Sequence, residues 1–456
     1  MGTSFDAIAQ RNAQDAKMAF LDQFTRAKED IVSFVDSRLG WKQAGKFLGY
    51  FIGSFNISIA VQNGETGERA LIRFPIPGKV YKSWLEQKVK NEVMVLKYIS
   101  RHTDIPIPQV HHWGLTEESP CHMGPFIIEE FMEGEDLGEL LRKPSDINED
   151  LLVLNPGINN AKLDFVYEQI AGFQLQLSRL EFPRIGAISM DSETGEGKVT
   201  GPPLTYDMNE VVGFAGFPAE SYTATEPFSR AGDYFSDRAR CMQVNLETHR
   251  NIGFDDDNIT WSRCVARHCF AKLVPVYGNI DEAGPFRLFC DDMRPSNMLA
   301  DPKTMRITAL LDLEFTNAMP AQYAYDLPSW LILRDPAIMI SDSKQEFVDA
   351  FEPRKDQFIR AMERAEAKFP PAEGQPTLSA RIRESWDSGR FWFNLAARSS
   401  FDVDEVYWKC LHKEGRGESM LDQATLDDKS EFLKRKKAQF DAYWAEKHND
   451  KRFESS

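Results

Sequence analysis

Three oxygen-bearing side chains near the middle of the chain have the types and the spacing that phosphoryl transfer requires. Asp292 and Asn297 stand five positions apart across a Pro-Ser pair, so they belong to one loop and not to one helical face. Asp312 follows fifteen positions after Asn297. A carboxylate can orient a hydroxyl nucleophile, whereas an amide and a second carboxylate suit Mg²⁺. We therefore interpret Asp292 as catalytic and Asn297 and Asp312 as metal ligands.

The segment between these residues predicts a hairpin that would bring them together. Short apolar runs at 298–300 and 306–311 flank the turn-rich tetrad 301–304, a pattern typical of two antiparallel strands. Such a hairpin returns Asp312 to the level of Asn297. A pair of solvated turn acids is the alternative that the spacing leaves open.

The pattern Asp292-x4-Asn297 followed by Asp312 resembles the catalytic motif of the aminoglycoside phosphotransferases, small-molecule kinases that are similar to protein kinases. The usual loop of that family is His-Gly-Asp-x4-Asn, and here Cys290 and Asp291 stand at the His and Gly places. The resemblance implies a two-lobed α+β fold of the protein-kinase kind. We expect a small lobe with an antiparallel sheet and one main helix, and a larger, mainly helical lobe.

Residues 45–134 form the lobe that the resemblance assigns to nucleotide binding, preceded by a helical extension at 1–44. Alternating apolar residues at 55–61 predict antiparallel strands. In such a fold the turn with Gly53 and Ser54 would cover the nucleotide phosphates, because small residues let backbone N–H groups approach them. Gly53 as a simple strand bend explains the same residues equally well.

Four further residues of this lobe are assigned by the resemblance. Arg73 falls on the strand where the family carries a phosphate-binding lysine, and its planar guanidinium can pair with a carboxylate or a phosphate. Glu92, in the helix-periodic segment 85–99, resembles the glutamate that pairs with that cation. The backbone of Glu130 and Met132, at the end of an apolar strand, is expected to contact the adenine base.

Residues 135–456 form the larger lobe, with a loop-rich insertion at 190–285 and a helical extension at 340–456. Aromatic and acidic residues between 386 and 408 suit a cationic ligand through cation–π attraction. Packing of these aromatic rings in the core explains the same pattern and is the favoured interpretation. We expect Asp326 to accept backbone N–H bonds that brace the catalytic loop.

Composition limits the classes of partner. The 456 residues carry a formal net charge of −16, which argues against nucleic acid and anionic membranes because both require clustered positive charge. The sequence contains no apolar run of about 18 residues that would span a bilayer. The six cysteines are widely spaced without a C-x-x-C pair, so we expect reduced thiols in a cytoplasmic protein.

These observations predict an enzyme that moves the γ-phosphate of Mg²⁺-bound ATP, or alternatively GTP, to a hydroxyl of a small molecule. A cationic acceptor is compatible with the acidic composition. Two alternatives remain open: a catalytically silent nucleotide-binding or interaction module, favoured by Cys290-Asp291 and Arg73, and a protein kinase, disfavoured because no stretch resembles an activation segment ending in Ala-Pro-Glu. The sequence leaves the acceptor's identity and the oligomeric state open.

Overall fold

An antiparallel sheet forms the core of the smaller lobe. The computed structural model describes residues 5–144, 152–191, 193–252 and 256–453, so parts of the predicted N-terminal extension, larger lobe and insertion lie outside the described residues. The strands run in the order β1-β2-β3-β5-β4. The elements of this lobe are α1 (Ala7–Arg26), α2 (Lys28–Leu39), β1 (Gly45–Ile52), β2 (Asn56–Asn63), β3 (Arg69–Pro75), α3 (Leu85–His102), β4 (Val110–Gly114) and β5 (Phe126–Glu130).

Alternation along β2 divides the sheet into two faces. Ile57, Ile59 and Val61 are fully buried against α1 and α2, because successive side chains of a strand point to opposite sides. Ser58 lies on the other face, where it pairs in register with Arg73 of β3. The face that carries Arg73 is therefore the one that lies over the cleft between the lobes.

Helix α3 is held by an apolar stripe and by polar side chains. Val89 and Val93 are buried beneath the sheet. Asn91 reaches the larger lobe, where its Nδ2 donates to the Thr316 carbonyl at 2.7 Å and its Oδ1 accepts from the Ile188 amide at 2.9 Å. These contacts fix the one main helix of the small lobe against the larger lobe.

The larger lobe is mainly helical, and short strands frame its loops. Its elements are β6 (Glu135–Asp136), α4 (Leu137–Leu141), α5 (Asn160–Leu177), β7 (Glu181–Phe182), β8 (Ala187–Met190), β9 (Gly197–Gly201), α6 (Tyr206–Phe214), α7 (Ala219–Tyr222), α8 (Ala231–Thr248), α9 (Asp257–Tyr277), β10 (Phe286–Phe289), β11 (Met298–Ala300), β12 (Ile307–Leu310), β13 (Asn317–Met319), α10 (Ala321–Ala324), α11 (Pro336–Lys368), α12 (Leu378–Ser388), α13 (Arg390–Ala397), α14 (Val403–Val406) and α15 (Gln423–Asn449).

This arrangement confirms the predicted α+β, two-lobed, protein-kinase-like fold. The predicted hairpin is also confirmed, because β11 and β12 pair antiparallel from Met298↔Leu310 to Ala300↔Ile307. The predicted loop-rich insertion at 190–285 begins with regular structure. It starts at the end of β8 and contains β9, which pairs with β8, and α6, which Thr205 caps by accepting from the Met208 amide at 3.3 Å. The apolar spacing of α6 was hidden among frequent glycine and proline residues.

Helix α1 contacts both lobes. Its C-terminal half places Phe20 and Phe24 in the core of the small lobe. At its other end, the Asp6 amide donates to the Phe214 carbonyl at 2.8 Å, and the Asp6 carboxylate pairs with Arg250 at 2.5 Å. The first helix of the predicted N-terminal extension thus connects the two lobes.

Among the described residues, no helix combines the length and the apolar composition that crossing a bilayer requires.

Candidate active site

A cleft of about 710 Å³ between the lobes is lined by several of the predicted site residues. Gly53 and Ser54 line it from the turn between β1 and β2, and Asp292, Asn297 and Asp312 line it from the larger lobe. The structure thus brings five of the predicted site residues to one surface.

The catalytic loop follows β10 and presents Asp292 to the cleft. The Nδ2 of Asn297 donates to the Asp292 carbonyl at 2.9 Å and to its Oδ2 at 2.8 Å. Arg294 Nε lies 2.9 Å from the other carboxylate oxygen, and Trp330 Nε1 donates to the Met293 carbonyl at 2.6 Å. The carboxylate is therefore oriented by a neighbouring amide and a guanidinium.

Burial raises the pKa of Asp292 above its ordinary value. The Arg294 charge and the hydrogen bond from Asn297 oppose this rise, whereas Asp291 and Glu314 add to it. A carboxylate whose pKa is raised accepts a proton more readily than an ordinary aspartate once it is ionised. These surroundings suit a residue that takes a proton from a hydroxyl group.

Asp312 meets the loop because the hairpin returns the chain to it. The Leu311 amide donates to the Asn297 carbonyl at 2.8 Å, which places the two residues side by side. Asp312 has a left-handed backbone with φ of 58°, a conformation that aspartate adopts more readily than most residues. Its Oδ1 is buried without a hydrogen-bond donor and lies 3.5 Å from Arg73 Nη1.

Arg73 and Glu92 are in contact, as the resemblance implied. Arg73 Nη2 lies 2.8 Å from Glu92 and 3.3 Å from Glu129, and its other terminal nitrogen faces Asp312. The side chains of Arg73, Glu92 and Glu129 are almost fully buried, whereas that of Asp312 is half-buried. Arg73 therefore links the sheet, α3 and the hairpin.

Lys88 and Glu314 form a second buried ion pair that our sequence analysis missed. Lys88 Nζ contacts Glu314 directly and lies 3.8 Å from Glu92. Asn56 Nδ2 also donates to Glu314 at 3.1 Å. Two signals were available, namely the i,i+4 spacing of Lys88 and Glu92 and the position of Glu314 two residues after Asp312. Both were obscured because charged residues surround Lys88 in the sequence.

This cluster contains more acidic than basic side chains. The two cations Arg73 and Lys88 face four carboxylates, which belong to Glu92, Glu129, Asp312 and Glu314. Burial and the nearby Asp312 charge raise the pKa of Glu314 to about 8, against the attraction of Lys88. A divalent cation beside Asp312 would favour the ionised forms of these acids.

The donor set fits Mg²⁺. Asn297 and Asp312 offer oxygen atoms, and the buried Oδ1 of Asp312 lacks a hydrogen-bond donor. Within the described residues, no group of three or more His, Cys, Asp or Glu side chains is placed to hold a metal ion. Mg²⁺ in phosphoryl-transfer sites is usually held by one or two side chains together with water and phosphate oxygens, so two ligands suffice.

The remaining predicted nucleotide contacts lie on turns and on the connection between the lobes. Gly53 donates its amide to the Asn56 carbonyl at 2.9 Å, and a Cβ there would meet that oxygen at an ordinary 3.5 Å. A glycine is therefore not required by the backbone of this turn. Glu130 ends β5, and Met132 follows it in the half-buried connection to β6. Their contact with a nucleotide remains a prediction.

Asp326 does not brace the catalytic loop as we predicted. Its carboxylate accepts from Ser385 Oγ at 2.5 Å and from Asn394 Nδ2 at 3.0 Å, so its partners are side chains of α12 and α13. The prediction was wrong because the hydrogen-bond donors come from the C-terminal helices, which are distant in sequence. A different residue of that region, Arg398, contacts the loop by donating to Asp291 at 2.8 Å.

The aromatic and acidic residues between 386 and 408 divide into two groups. Trp386 and Phe391 pack against each other and against Phe351, with Trp386 and Phe391 ring centroids 5.2 Å apart. This confirms the core interpretation for these rings. Phe401 and Asp402 instead line the cleft.

Comparisons with known proteins give distant similarities. No family model matches the chain. A protein named "Altered inheritance of mitochondria protein 9, mitochondrial" from Debaryomyces hansenii is 22% identical over 293 residues, covering 56% of this chain and 45% of that protein. The protein of the same name from Saccharomyces cerevisiae is 27% identical over 127 residues, 28% of this chain and 19% of that protein. Clavilactone A biosynthesis cluster protein Y of Ampulloclitocybe clavipes is 22% identical over 283 residues, 59% and 61% of the two chains.

The solved structures that match include aminoglycoside phosphotransferases, an ethanolamine kinase and a choline kinase. They include aminoglycoside phosphotransferase APH(4)-Ia, with 13% identity, a TM-score of 0.42 and coverage of 91% of this chain and 98% of that chain. Choline kinase from Cryptosporidium parvum has 12% identity, a TM-score of 0.40 and coverage of 91% and 95%.

The strand order and the helix positions define the fold, since the TM-scores of these solved structures lie below 0.5. The chain spans between about a fifth and three fifths of the lengths of these sequence relatives. The mitochondrial designation of the yeast proteins leaves the cytoplasmic location a prediction.

Proposed function

We propose that the protein is a kinase that moves the γ-phosphate of a Mg²⁺-bound nucleoside triphosphate, ATP or GTP, to a hydroxyl group of a small molecule. The observation that carries this proposal is the convergence of Asp292, Asn297 and Asp312 on one cleft, with the Arg73–Glu92 pair against Asp312. A buried surplus of carboxylates beside a hydrogen-bonded catalytic aspartate suits metal-assisted phosphoryl transfer better than a purely structural role.

Each residue has a distinct task in this reaction. Asp292 orients the acceptor hydroxyl and takes its proton as the oxygen attacks the γ-phosphorus, while the bond from that phosphorus to the leaving diphosphate breaks. Asn297 and Asp312 would hold Mg²⁺, which neutralises charge on the phosphate oxygens when bound. Arg73, fixed by Glu92 and Glu129, supplies positive charge beside the inner phosphates.

We infer that the acceptor carries a positive charge. Glu210 and Asp402 line the same cleft as Asp292. Burial raises the pKa of Glu210 to about 7 and that of Asp402 to about 6, and neighbouring carboxylates add to both shifts. A cationic group placed between them would favour the ionised acids, and the nearby Phe401 ring adds an apolar surface.

Calorimetry of Mg-ATP and Mg-GTP binding tests the nucleotide site first. We expect binding that requires Mg²⁺ and that Asp312→Asn weakens, whereas Asp292→Asn binds nearly as well as the wild type. Asp349→Asn, an exposed acid on α11, is the matched control and should bind normally. A folded wild-type protein that binds neither nucleotide would contradict the proposal and favour the silent module.

Turnover tests the chemistry and the acceptor class together. Hydroxylated amines and their neutral alcohol analogues are offered with labelled ATP. We expect transfer to amines to exceed transfer to the matched alcohols, and Asp292→Asn to lower turnover by about 10² to 10⁴-fold, the usual share of a general base. Equal turnover by Asp292→Asn and the wild type would rule out the assigned role of this residue. Labelled protein bands without a labelled metabolite would indicate a protein acceptor.

A further inference from the structure

The catalytic loop contains two consecutive carboxylates, and each has its own arginine. Asp292 pairs with Arg294, whose side chain is 52% exposed. Asp291, which stands at the glycine place of the resembled motif, pairs with Arg398 at 2.8 Å. The side chain of Arg398 is only 13% exposed and that of Asp291 26%. The second pair is therefore the more shielded one, and low exposure strengthens its interaction.

Arg398 is itself held firmly at the end of α13. Its guanidinium lies 5.4 Å from the centroid of the Phe289 ring and 5.7 Å from that of Tyr323. Its Nε also donates to the Asn394 carbonyl at 3.4 Å. Two aromatic faces and a carbonyl restrict the guanidinium to one orientation.

The middle of α13 is held by hydrogen bonds that do not involve Arg398. Asn394 donates to the Asp326 carboxylate at 3.0 Å and accepts from Gln322 Nε2 at 2.5 Å, and all three side chains are buried. A continuous set of contacts thus runs from Asp326 through α13 and Arg398 to Asp291, the neighbour of the catalytic residue. It supplies the bracing of the loop that Asp326 does not supply directly.

We propose that Arg398 is a positioning residue that fixes the catalytic loop by holding Asp291. This inference rests on the proposed function, because it assigns Arg398 a task in orienting Asp292. Without Arg398, the Asp291 carboxylate lies partly buried and unpaired beside Asp292, and a movement of the loop toward solvent would relieve this. A displacement of about 1 Å at a reacting group is enough to lower a rate about 10²-fold.

The test uses the full chain with four variants. Arg398→Met removes the charge, Arg398→Lys keeps it without the planar fork, and Asp291→Asn/Arg398→Met removes both charges of the pair. Arg381→Met is the matched control, because Arg381 pairs with Asp281 at 3.7 Å and lies 4.7 Å from the Tyr325 ring. We measure amide hydrogen exchange over residues 289–299, thermal unfolding, and hydrolysis of Mg-ATP with water as the acceptor.

We expect Arg398→Met to increase exchange across the loop and to lower kcat about tenfold or more, with KM for Mg-ATP changed less than about twofold. Arg398→Lys should recover part of the loss. The double variant should unfold at a higher temperature than Arg398→Met, since the unpaired carboxylate is gone. Arg381→Met should leave loop exchange and kcat unchanged.

Other results would overturn the inference. If Arg398→Met leaves hydrogen exchange of the loop unchanged, Arg398 has a structural role that does not involve the loop. If Arg398→Met changes only KM for Mg-ATP, Arg398 contributes to ligand binding instead. If the wild type does not bind or hydrolyse Mg-ATP, the proposed function fails. Hydrogen exchange and the unfolding temperatures then still decide whether the Asp291–Arg398 pair holds the loop.

Discussion

The buried charges around Asp312 explain why the chain carries an arginine on β3 and a lysine on α3. Arg73 contacts three carboxylates, belonging to Glu92, Glu129 and Asp312, which a branched guanidinium can do and a single ammonium group does less well. Lys88 contacts Glu314 of the larger lobe and lies 3.8 Å from Glu92, one helical turn further along α3. The two cations share Glu92, but Glu129 and Asp312 pair only with Arg73 and Glu314 only with Lys88 among these contacts, so neither cation replaces the other.

Replacing Lys88 by methionine should destabilise the protein by about 1 to 3 kcal/mol, because buried Glu314 loses its hydrogen-bonded cation and must hold a proton instead. Lys90→Met is the matched control, since Lys90 is exposed two residues further along the same helix, and it should change stability by less than about 0.5 kcal/mol. Denaturant unfolding measures both variants. The double variant Lys88→Met/Glu314→Gln should recover most of the lost stability. If Lys88→Met and Lys90→Met are equally stable, the buried pair is refuted.

Sequence patterns predicted the residues whose partners are close in the chain or fixed by the fold. The hairpin that unites Asn297 and Asp312 followed from two short apolar runs, and the Arg73–Glu92 contact followed from the family resemblance. The Lys88–Glu314 pair was not predicted, because 226 positions separate its members and only the packed lobes bring them together. The partners of Asp326 were missed for the same reason.

At the level of helices, Asp326 joins α12 to α13. One oxygen of its carboxylate accepts from Ser385 in α12 and the other from Asn394 in α13. Burial raises its pKa from 3.8 to about 6, despite these hydrogen bonds and the nearby Arg398. The folded protein therefore binds a proton at this residue more tightly than the unfolded chain does.

This shift gives the junction of α12 and α13 a dependence on pH. Because the folded state holds the proton up to a higher pH, ionisation of Asp326 lowers the free energy of unfolding as pH rises from about 4 to about 6. The total effect is about 3 kcal/mol for a shift of about two pKa units. The asparagine in Asp326→Asn does not ionise. The free energy of unfolding of this variant, relative to that of the wild type, should therefore increase by about 3 kcal/mol between about pH 4 and about pH 6.

Urea unfolding of wild type and Asp326→Asn at about pH 4 and about pH 7 measures this difference. Asp349→Asn, at an exposed position of α11, should show the same stability as the wild type at both values within about 0.5 kcal/mol. If the difference in free energy of unfolding between the wild type and Asp326→Asn is the same at both pH values, Asp326 ionises normally in the folded protein.

For the molecule as a whole, α1 is a second helix, besides α3, that joins the lobes in addition to the chain connection after β5. Its first turn is fixed to the larger lobe by Asp6 and Arg250, and Phe5 packs on Phe401 with ring centroids 4.8 Å apart. Its second half is packed in the small lobe through Phe24. Phe5 also lines the cleft, so the attachment lies at the site itself.

Asp6→Ser should loosen only the attachment to the larger lobe. Serine still caps the helix, but it cannot pair with Arg250. Hydrogen exchange should rise in the first turn of α1 and at the end of α6, while the amides around Phe24 stay protected. Asp22→Ser, which removes an exposed pair with Arg26 on the same helix, is the control and should change neither region. Increased exchange throughout α1 would show that the helix responds as one unit.

The double attachment of α1 also limits how far the two lobes can move apart. A straight helix of 20 residues is a rod about 30 Å long. A rod that is attached to one lobe near each end acts as a tether of fixed length, so the two attachment points keep a nearly constant separation while α1 stays bound at both. A movement that carries these points further apart must first break the attachment of Asp6 and Phe5 to the larger lobe.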